Sequence, residues 1–97
     1  MYVTTVDYEV RPDACREACR LWTETVVEAA RERPGFIKLE LLSREGHLLA
    51  IGSWEHRDFA RSFFETGIFQ TLTERLKPYL LSDPTPLEWN PEVFLER

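Results

Sequence analysis

Three alternate residues of one short segment, Ala50, Gly52 and Trp54, could form one side of a ligand pocket. In an extended strand these side chains share a face, and two small residues beside an indole leave room for a planar molecule. The same pattern also fits a core in which the indole packs against the aromatic residues of a helix. The segment therefore predicts either a site for a small aromatic molecule or a tryptophan buried by simple packing.

The first segment of the chain could add polar groups to this pocket. Thr4, Val6 and Tyr8 occupy every second position of a β-branched and aromatic stretch, so all three would lie on one face of a strand. The candidate catalytic residues are Trp54 and Tyr8. The candidate substrate-binding residues, which would line the same space, are Thr4, Ala50, Gly52, Phe63 and Phe69.

The histidines and cysteines do not have the spacing of a metal site. His47 and His56 fall in or beside loops, where exposed histidines are common, and Cys15 and Cys19 stand four residues apart in a helical pattern. That spacing is too wide for an unstrained disulfide, so we expect both thiols to be reduced. No glycine-rich phosphate loop or nucleophile elbow is present. We therefore expect neither a metal nor an organic cofactor.

The overall charge argues against polyanionic partners. The chain has 97 residues and a formal net charge of -5 at pH 7, whereas nucleic acids and anionic membranes attract a basic face. Its start does not resemble a signal peptide, and no apolar run approaches the roughly 18 residues of a membrane span. We expect one cytoplasmic domain over residues 1–97, with no nucleic-acid or membrane partner.

The spacing of apolar residues predicts four strands and three helical segments. The strands are 2–10, 36–43, 48–55 and 87–96, and Pro91 marks the last as an edge strand, a bulged strand or one that crosses to a partner. A long amphipathic helix covers 13–33. Asp58 could cap a short helix over 59–66, which Gly67 separates from another over 68–80. The order β-α-β-β-α-β, with its second helix split, predicts a ferredoxin-like α+β fold.

The loop between the second and third strands predicts their register. If Arg44 faces His47, one sheet face carries the pairs Leu41–Ala50, Leu39–Gly52 and Ile37–Trp54. The opposite face then carries Phe36, Lys38, Glu40 and Leu42 with Leu49, Ile51 and Ser53. Both faces contain bulky apolar groups, but the helices of one chain can cover only one of them. We therefore expect a homodimer in which two sheets pack face to face as a dimeric α/β barrel.

Four segments carry a family resemblance: Val10-Arg11-Pro12, residues 33–37, Ser53-Trp54-Glu55 and residues 59–69. In this order and spacing they resemble the antibiotic biosynthesis monooxygenase (ABM) superfamily of dimeric α/β barrels. The resemblance implies one of several activities, including cofactor-independent oxygenation of aromatic polyketides or quinols, haem degradation and isomerisation. In the polyketide oxygenases a tryptophan that ends the third strand lies in the substrate cavity. Trp54 matches it, whereas Ala50 stands where that site has an asparagine.

The haem-degrading members of the superfamily use an asparagine, a tryptophan and a histidine. The corresponding positions here are Val6, or Asp7 if the register slips by one, with Phe63 and Thr73. All three depart from the pattern, so the resemblance does not imply haem degradation.

Two main function hypotheses follow. The first is a cofactor-independent monooxygenase acting on an aromatic quinol-like or polyketide-like molecule, whose own phenolate or enolate reduces dioxygen while the protein desolvates and positions it. The alternative is a non-catalytic dimeric module that binds small molecules, with its pocket closed by Phe63, Phe64 and Phe69. A third hypothesis, an isomerase of small oxygenated metabolites, needs a polar pocket that these residues do not assemble. We favour the enzyme.

Overall fold

The computed structural model covers residues 1–97 and contains one antiparallel sheet with its helices on one face. The strands are β1 (Tyr2–Glu9), β2 (Phe36–Arg44), β3 (His47–Trp54) and β4 (Thr85–Trp89), arranged in the order β2-β3-β1-β4. The helices are α1 (Cys15–Arg31), α2 (Arg57–Phe64) and α3 (Ile68–Leu76). Short 3-10 turns, Pro12–Ala14 and Lys77–Tyr79, precede α1 and follow α3. The predicted ferredoxin-like α+β fold with a split second helix is confirmed.

Helix α1 forms because its apolar residues repeat at helical spacing. The residues buried along its sheet-facing side are Ala18, Leu21, Trp22, Val26 and Ala30. On the solvent side, Arg20 forms ion pairs with Glu17 and Glu24, one turn away in each direction. Such exposed pairs add only about 0.3 kcal/mol each. The buried stripe is therefore what holds α1 on the sheet.

A β-bulge changes the predicted register where β2 begins. Arg44 pairs with His47, Leu41 with Ala50 and Leu39 with Gly52, as predicted, but the next pairs are Lys38 with Ser53 and Phe36 with Trp54. The predicted Ile37–Trp54 pair is therefore wrong, because Ile37 is an extra residue without an opposite partner. The bulge also brings Phe36 onto the face of Trp54, the opposite of the predicted face, where the two rings meet edge to face at 5.6 Å.

Helix α2 begins two residues before its predicted start, and its cap differs. The Nδ1 atom of His56 accepts a hydrogen bond from the backbone N–H of Asp58 at 3.1 Å, so His56 is the N-cap in place of Asp58. Gly67, with φ of 83°, adopts the left-handed conformation between α2 and α3. Glycine adopts this conformation at little cost, and the predicted break between the helices occurs there.

The last strand is shorter than predicted and begins earlier. Strand β4 covers Thr85–Trp89 rather than 87–96, and it pairs only with β1. Pro86 lies within it opposite Val6, which is compatible with an edge strand because a proline there leaves no inner hydrogen bond unmade. Residues 90–97 continue outside the sheet, and the side chains of Val93 and Leu95 are 87% and 93% exposed. The C-terminal segment thus has strand-like composition without a strand partner in this chain.

The face of the sheet that points away from the helices is uncovered. We call it the outer face. It carries the partly exposed apolar residues Leu42, Leu87 and Trp89 and the ion pair between Lys38 and Glu40 at 3.4 Å. The Trp89 indole N–H donates a hydrogen bond across the strands to the Thr5 hydroxyl at 2.8 Å. None of the three helices has the length and hydropathy that crossing a bilayer requires.

Candidate functional site

Trp54 lies at the end of β3, in the layer between the sheet and the helices. Only 2% of it is exposed. Phe63 of α2 packs against the indole with ring centroids 5.3 Å apart, and Phe36 packs against it from the start of β2. Much of the space beside this indole is therefore filled by two phenylalanine rings. The prediction that Trp54 packs against helix aromatics fits these neighbours, but a cavity also remains on this face of the sheet.

A small cavity remains above Gly52, and we call it the inner chamber. Its volume is about 20 Å³. Six of the seven candidate site residues line it, namely Thr4, Ala50, Gly52, Trp54, Phe63 and Phe69, together with Trp22 and other apolar residues. The structure thus brings these candidates together, but the space between them admits a molecule no larger than water or dioxygen.

A larger cavity opens beside the inner chamber, between α3 and the β1–β4 edge of the sheet, and we call it the outer cleft. Its volume is about 440 Å³, within the range of pockets that hold small organic ligands. Tyr8 and Phe69 are the candidate site residues that line it. Its other lining residues, which the sequence analysis missed, are Gln70, Thr73, Glu74, Pro84 and Pro86, with Val6 and Phe64.

A signal for the outer cleft was present in the sequence of α3. Phe69 and Thr73 stand four residues apart, as do Gln70 and Glu74, so each pair occupies one stripe of the helix. The polar stripe lies next to the aromatic one. This arrangement is typical of a helix that lines a half-open cleft, although it is also found on ordinary solvent-facing helices.

Two phenylalanine rings separate the two cavities. Val6, Phe64 and Phe69 line both the outer cleft and the inner chamber. The Phe64 and Phe69 rings stack with centroids 4.4 Å apart, and Phe69 also meets Phe63 edge to face at 5.6 Å. The two stacked rings therefore form part of a wall that the chamber and the cleft share.

Tyr8 is the most deeply buried polar side chain of the outer cleft, with 1% exposure. Burial raises the pKa of its phenol well above the ordinary value, and a smaller effect of the nearby Trp22 indole lowers it. Tyr8 is therefore a neutral phenol at physiological pH, able to donate a hydrogen bond or a proton but not to act as a base. The buried indole N–H of Trp22 lies near the Tyr8 hydroxyl and has no other hydrogen-bond partner.

Thr4 and Trp54 direct polar atoms toward the same point of the inner chamber. A Cβ atom added to Gly52 would lie 3.1 Å from the Thr4 hydroxyl oxygen and 3.2 Å from the Trp54 indole nitrogen. The absence of a side chain at Gly52 is thus what keeps the space between these two polar groups open.

The remaining titratable candidates lie away from both cavities. His47 pairs with Asp7 on the outer face, and His56 caps α2. Cys15 and Cys19 are partly buried free thiols on α1. No group of three or more histidine, cysteine, aspartate or glutamate side chains comes together with the geometry of a metal site.

No protein-family model matches this sequence, and no curated protein matches it closely enough to count. Solved structures match its fold over nearly the whole chain. One is a monooxygenase from the gene ActVA-Orf6 of Streptomyces coelicolor, in complex with the ligand nanaomycin D, with 25% identity and a TM-score of 0.81 over 99% of this chain and 91% of the other. Another is SnoaB, a cofactor-independent oxygenase from Streptomyces nogalater, with 19% identity and a TM-score of 0.79 over 99% and 98%.

A third match shows that the fold is not restricted to structures named as oxygenases. Rv0793 from Mycobacterium tuberculosis has 13% identity and a TM-score of 0.80, with 98% of each chain covered. Several further matches are named antibiotic biosynthesis monooxygenases. The fold that the sequence resemblance implied is therefore confirmed: the chain has the fold of the antibiotic biosynthesis monooxygenases.

Proposed function

We propose that this protein is a cofactor-independent monooxygenase that oxidises an aromatic quinol-like or polyketide-like molecule in the outer cleft. The observation that supports it most is the combination of a 440 Å³ cleft, floored by Phe64 and Phe69, with the buried phenol of Tyr8. The named structural neighbours include a cofactor-independent oxygenase and a monooxygenase bound to a small molecule. The sequence predicted the substrate beside Trp54, but the inner chamber there is too small for it. We propose that it binds in the adjacent outer cleft.

The reaction follows from the chemistry of such a substrate. Loss of a proton gives a phenolate or enolate, which is electron-rich enough to transfer an electron to dioxygen. The resulting radical and superoxide combine to form a C–O bond, giving a peroxide anion. Protonation of this peroxide, cleavage of its O–O bond and loss of the remaining C–H proton release water. In the net reaction a CH₂ group and one O₂ become a C=O group and one H₂O.

The residues of the cleft have separate tasks in this scheme. Glu74 is the only carboxylate that lines the cleft, and we assign it to accept the first proton of the substrate. Tyr8, kept protonated by burial, donates a hydrogen bond to the peroxide, and Glu74 returns to the peroxide the proton that it took from the substrate. The stacked phenylalanines hold the aromatic plane of the substrate and exclude water, which raises the reactivity of the anion.

The same proposal includes a homodimer formed through the outer face. Leu42, Leu87 and Trp89 are each about half exposed there, and apolar patches of this kind on a sheet are usually covered in the assembled protein. An isologous pairing of two outer faces would cover each set with its symmetry copy. Val93 and Leu95, which follow β4 in the chain, have exposed side chains and are available to extend the contact.

The proposal is tested by oxygen consumption with a panel of anthrones, naphthols and dihydroquinones, compared with the rate without protein. We expect uptake with at least one compound, and a fall of about 100-fold in Tyr8→Phe and Glu74→Gln. Trp54→Phe, which removes one donor N–H, should lower the rate by about 10-fold or more. Thr23→Ser, on the solvent side of α1 and away from both cavities and the outer face, is the control and should keep the wild-type rate. If no compound is oxidised faster than without protein, the enzyme hypothesis is wrong and the non-catalytic binding module replaces it.

A further inference from the structure

The inner chamber needs an occupant different from the substrate. Its volume of about 20 Å³ excludes any aromatic ligand, yet it shares the wall of Val6, Phe64 and Phe69 with the cleft in which the substrate would bind. A cavity of this size admits one very small molecule. An oxygenase has one substrate of that size, dioxygen.

The chamber is lined mainly by apolar side chains. Eight of its ten lining residues are apolar, and a cavity of this kind accepts a small apolar molecule without loss of hydrogen bonds. The Trp54 N–H faces the space above Gly52, and an indole N–H can only donate. The Thr4 hydroxyl is the second polar side-chain group at this point. Trp22 also lines the chamber, but its indole N–H lies near the Tyr8 hydroxyl, which does not line it.

We infer that the inner chamber is a dioxygen pocket, in which O₂ sits above Gly52 while the aromatic substrate occupies the outer cleft. This inference rests on the proposed function. Neutral dioxygen has no hydrogen to place and enters the apolar chamber without cost to hydrogen bonding. The donors become useful only when the oxygen is reduced.

The donors stabilise charge that appears during the reaction. One electron leaves the substrate anion, which becomes a radical, and O₂ becomes superoxide, so the total charge is unchanged. The Trp54 N–H and the Thr4 hydroxyl then donate to this anion in a site from which water is excluded, where such hydrogen bonds are strongest. Rotation of the Phe64 or Phe69 ring brings the superoxide to the substrate radical, and the C–O bond forms.

Paramagnetic relaxation tests the pocket without any substrate. Dissolved O₂ accelerates the relaxation of protons near which it resides, and NMR spectra of the protein under oxygen and under nitrogen measure this acceleration residue by residue. We expect the Ala50 methyl and the Trp54 indole N–H to be accelerated several-fold more than the Ala14 and Leu21 methyls, which are similarly buried but do not line the chamber. Equal acceleration at all four positions would overturn the inference.

Two variants separate the space from the donors. Gly52→Ala places a methyl group in the chamber and should abolish the excess relaxation at Ala50, whereas Ser53→Ala, on the opposite face of β3, should leave it unchanged. Thr4→Val retains the volume but removes a donor, so it should keep the excess relaxation at Ala50 and lower kcat by about 10-fold. Excess relaxation that survives in Gly52→Ala would place the oxygen elsewhere. The wild-type comparison decides the question even if a variant does not fold.

The inference and the proposed function fail in different ways. If an aromatic compound is oxidised but the chamber protons show no excess relaxation, the enzyme stands and the pocket is wrong. If the dioxygen pocket is correct, Gly52→Ala should also raise the KM for oxygen several-fold, while the KM for the aromatic compound changes little. If nothing is oxidised, the proposed function is wrong, and the inference falls with it because a pocket without an oxidation has no role.

Discussion

The Phe64 and Phe69 rings stack at 4.4 Å in the wall between the outer cleft and the inner chamber, with an angle of 24° between their planes. Phe64 is the last residue of α2 and Phe69 is the second residue of α3. The two rings meet because the chain turns at Gly67, between the helices. A continuous helix would place residues five apart on different sides. The split of the second helix therefore builds the wall.

Replacing one ring of this wall should connect the two cavities. Phe69→Leu removes the stack with Phe64 and the edge contact with Phe63, and we expect unfolding free energy to fall by about 1–2 kcal/mol. We also expect the oxidation rate to depend differently on oxygen concentration, because oxygen would pass from the chamber to the cleft without rotation of a ring. Urea unfolding and initial rates at several oxygen pressures measure these effects. Phe94→Leu, in the exposed C-terminal segment, is the control. Unchanged stability in Phe69→Leu would show that the stack contributes nothing.

The raised pKa of Tyr8 predicts loss of stability at alkaline pH. An unfolded tyrosine ionises near pH 10, whereas the folded protein holds the Tyr8 proton to higher pH because burial disfavours the phenolate. The stabilisation is therefore complete below about pH 10 and is lost as pH rises above it, by up to about 1.4 kcal/mol per pH unit. Chemical unfolding from pH 8 to 11 should show a steeper fall in the wild type than in Tyr8→Phe. Parallel curves would contradict a buried phenol.

Gly35 should tolerate no side chain. Its φ is 75°, and a Cβ there would overlap the ring of Phe59 at the start of α2. Gly35→Ala combines the left-handed backbone cost with this overlap, so we expect a loss of about 3 kcal/mol or more. Gly67→Ala is a matched control, because its φ is 83° but no atom lies within 4 Å of the added Cβ. It should lose only about 1 kcal/mol. Equal losses in the two variants, measured by urea unfolding, would mean that Phe59 moves aside freely.

A charge on the outer face should dissociate the proposed homodimer. Leu42→Arg introduces two arginines into an isologous interface, one from each subunit, and should weaken association by about 100-fold or more. Thr23→Arg adds the same charge to the solvent side of α1 and should leave association unchanged. Sedimentation equilibrium distinguishes the two. A wild-type protein that remains monomeric at high concentration would show instead that the outer face is solvated.

The fold could be predicted because its determinants are local. The helical repeat of α1, the hairpin from Arg44 to His47 and the break at Gly67 each depend on a few neighbouring residues, and together they leave one arrangement of the sheet. The bulge at Ile37 could not be predicted, because both the regular and the bulged register place apolar residues against Trp54. The packing of Phe36 on Trp54, which only the tertiary structure shows, favours the bulge.

The positions of the candidate site residues were predicted in part, and their role is proposed. Strand alternation placed Thr4, Ala50, Gly52 and Trp54 correctly around one space, because residues two apart on paired strands must share a face. It could not give the volume of that space, which depends on how far the Phe63 ring reaches from α2. The outer cleft was missed because it is formed by α3 and the loop before β4, whose distance from the sheet no sequence pattern specifies.

The bulge at Ile37 allows β2 to lose one residue without a change of register. Phe36 and Lys38 pair with the consecutive residues Trp54 and Ser53. Deletion of Ile37 would therefore leave a regular ladder in which all the remaining side chains keep their present faces. A deletion inside a strand normally inverts the residues on one side of it. Here it would remove a half-exposed isoleucine and nothing else. Relatives of this protein with one residue fewer at this point should therefore keep the same core, and alignments should place a gap there.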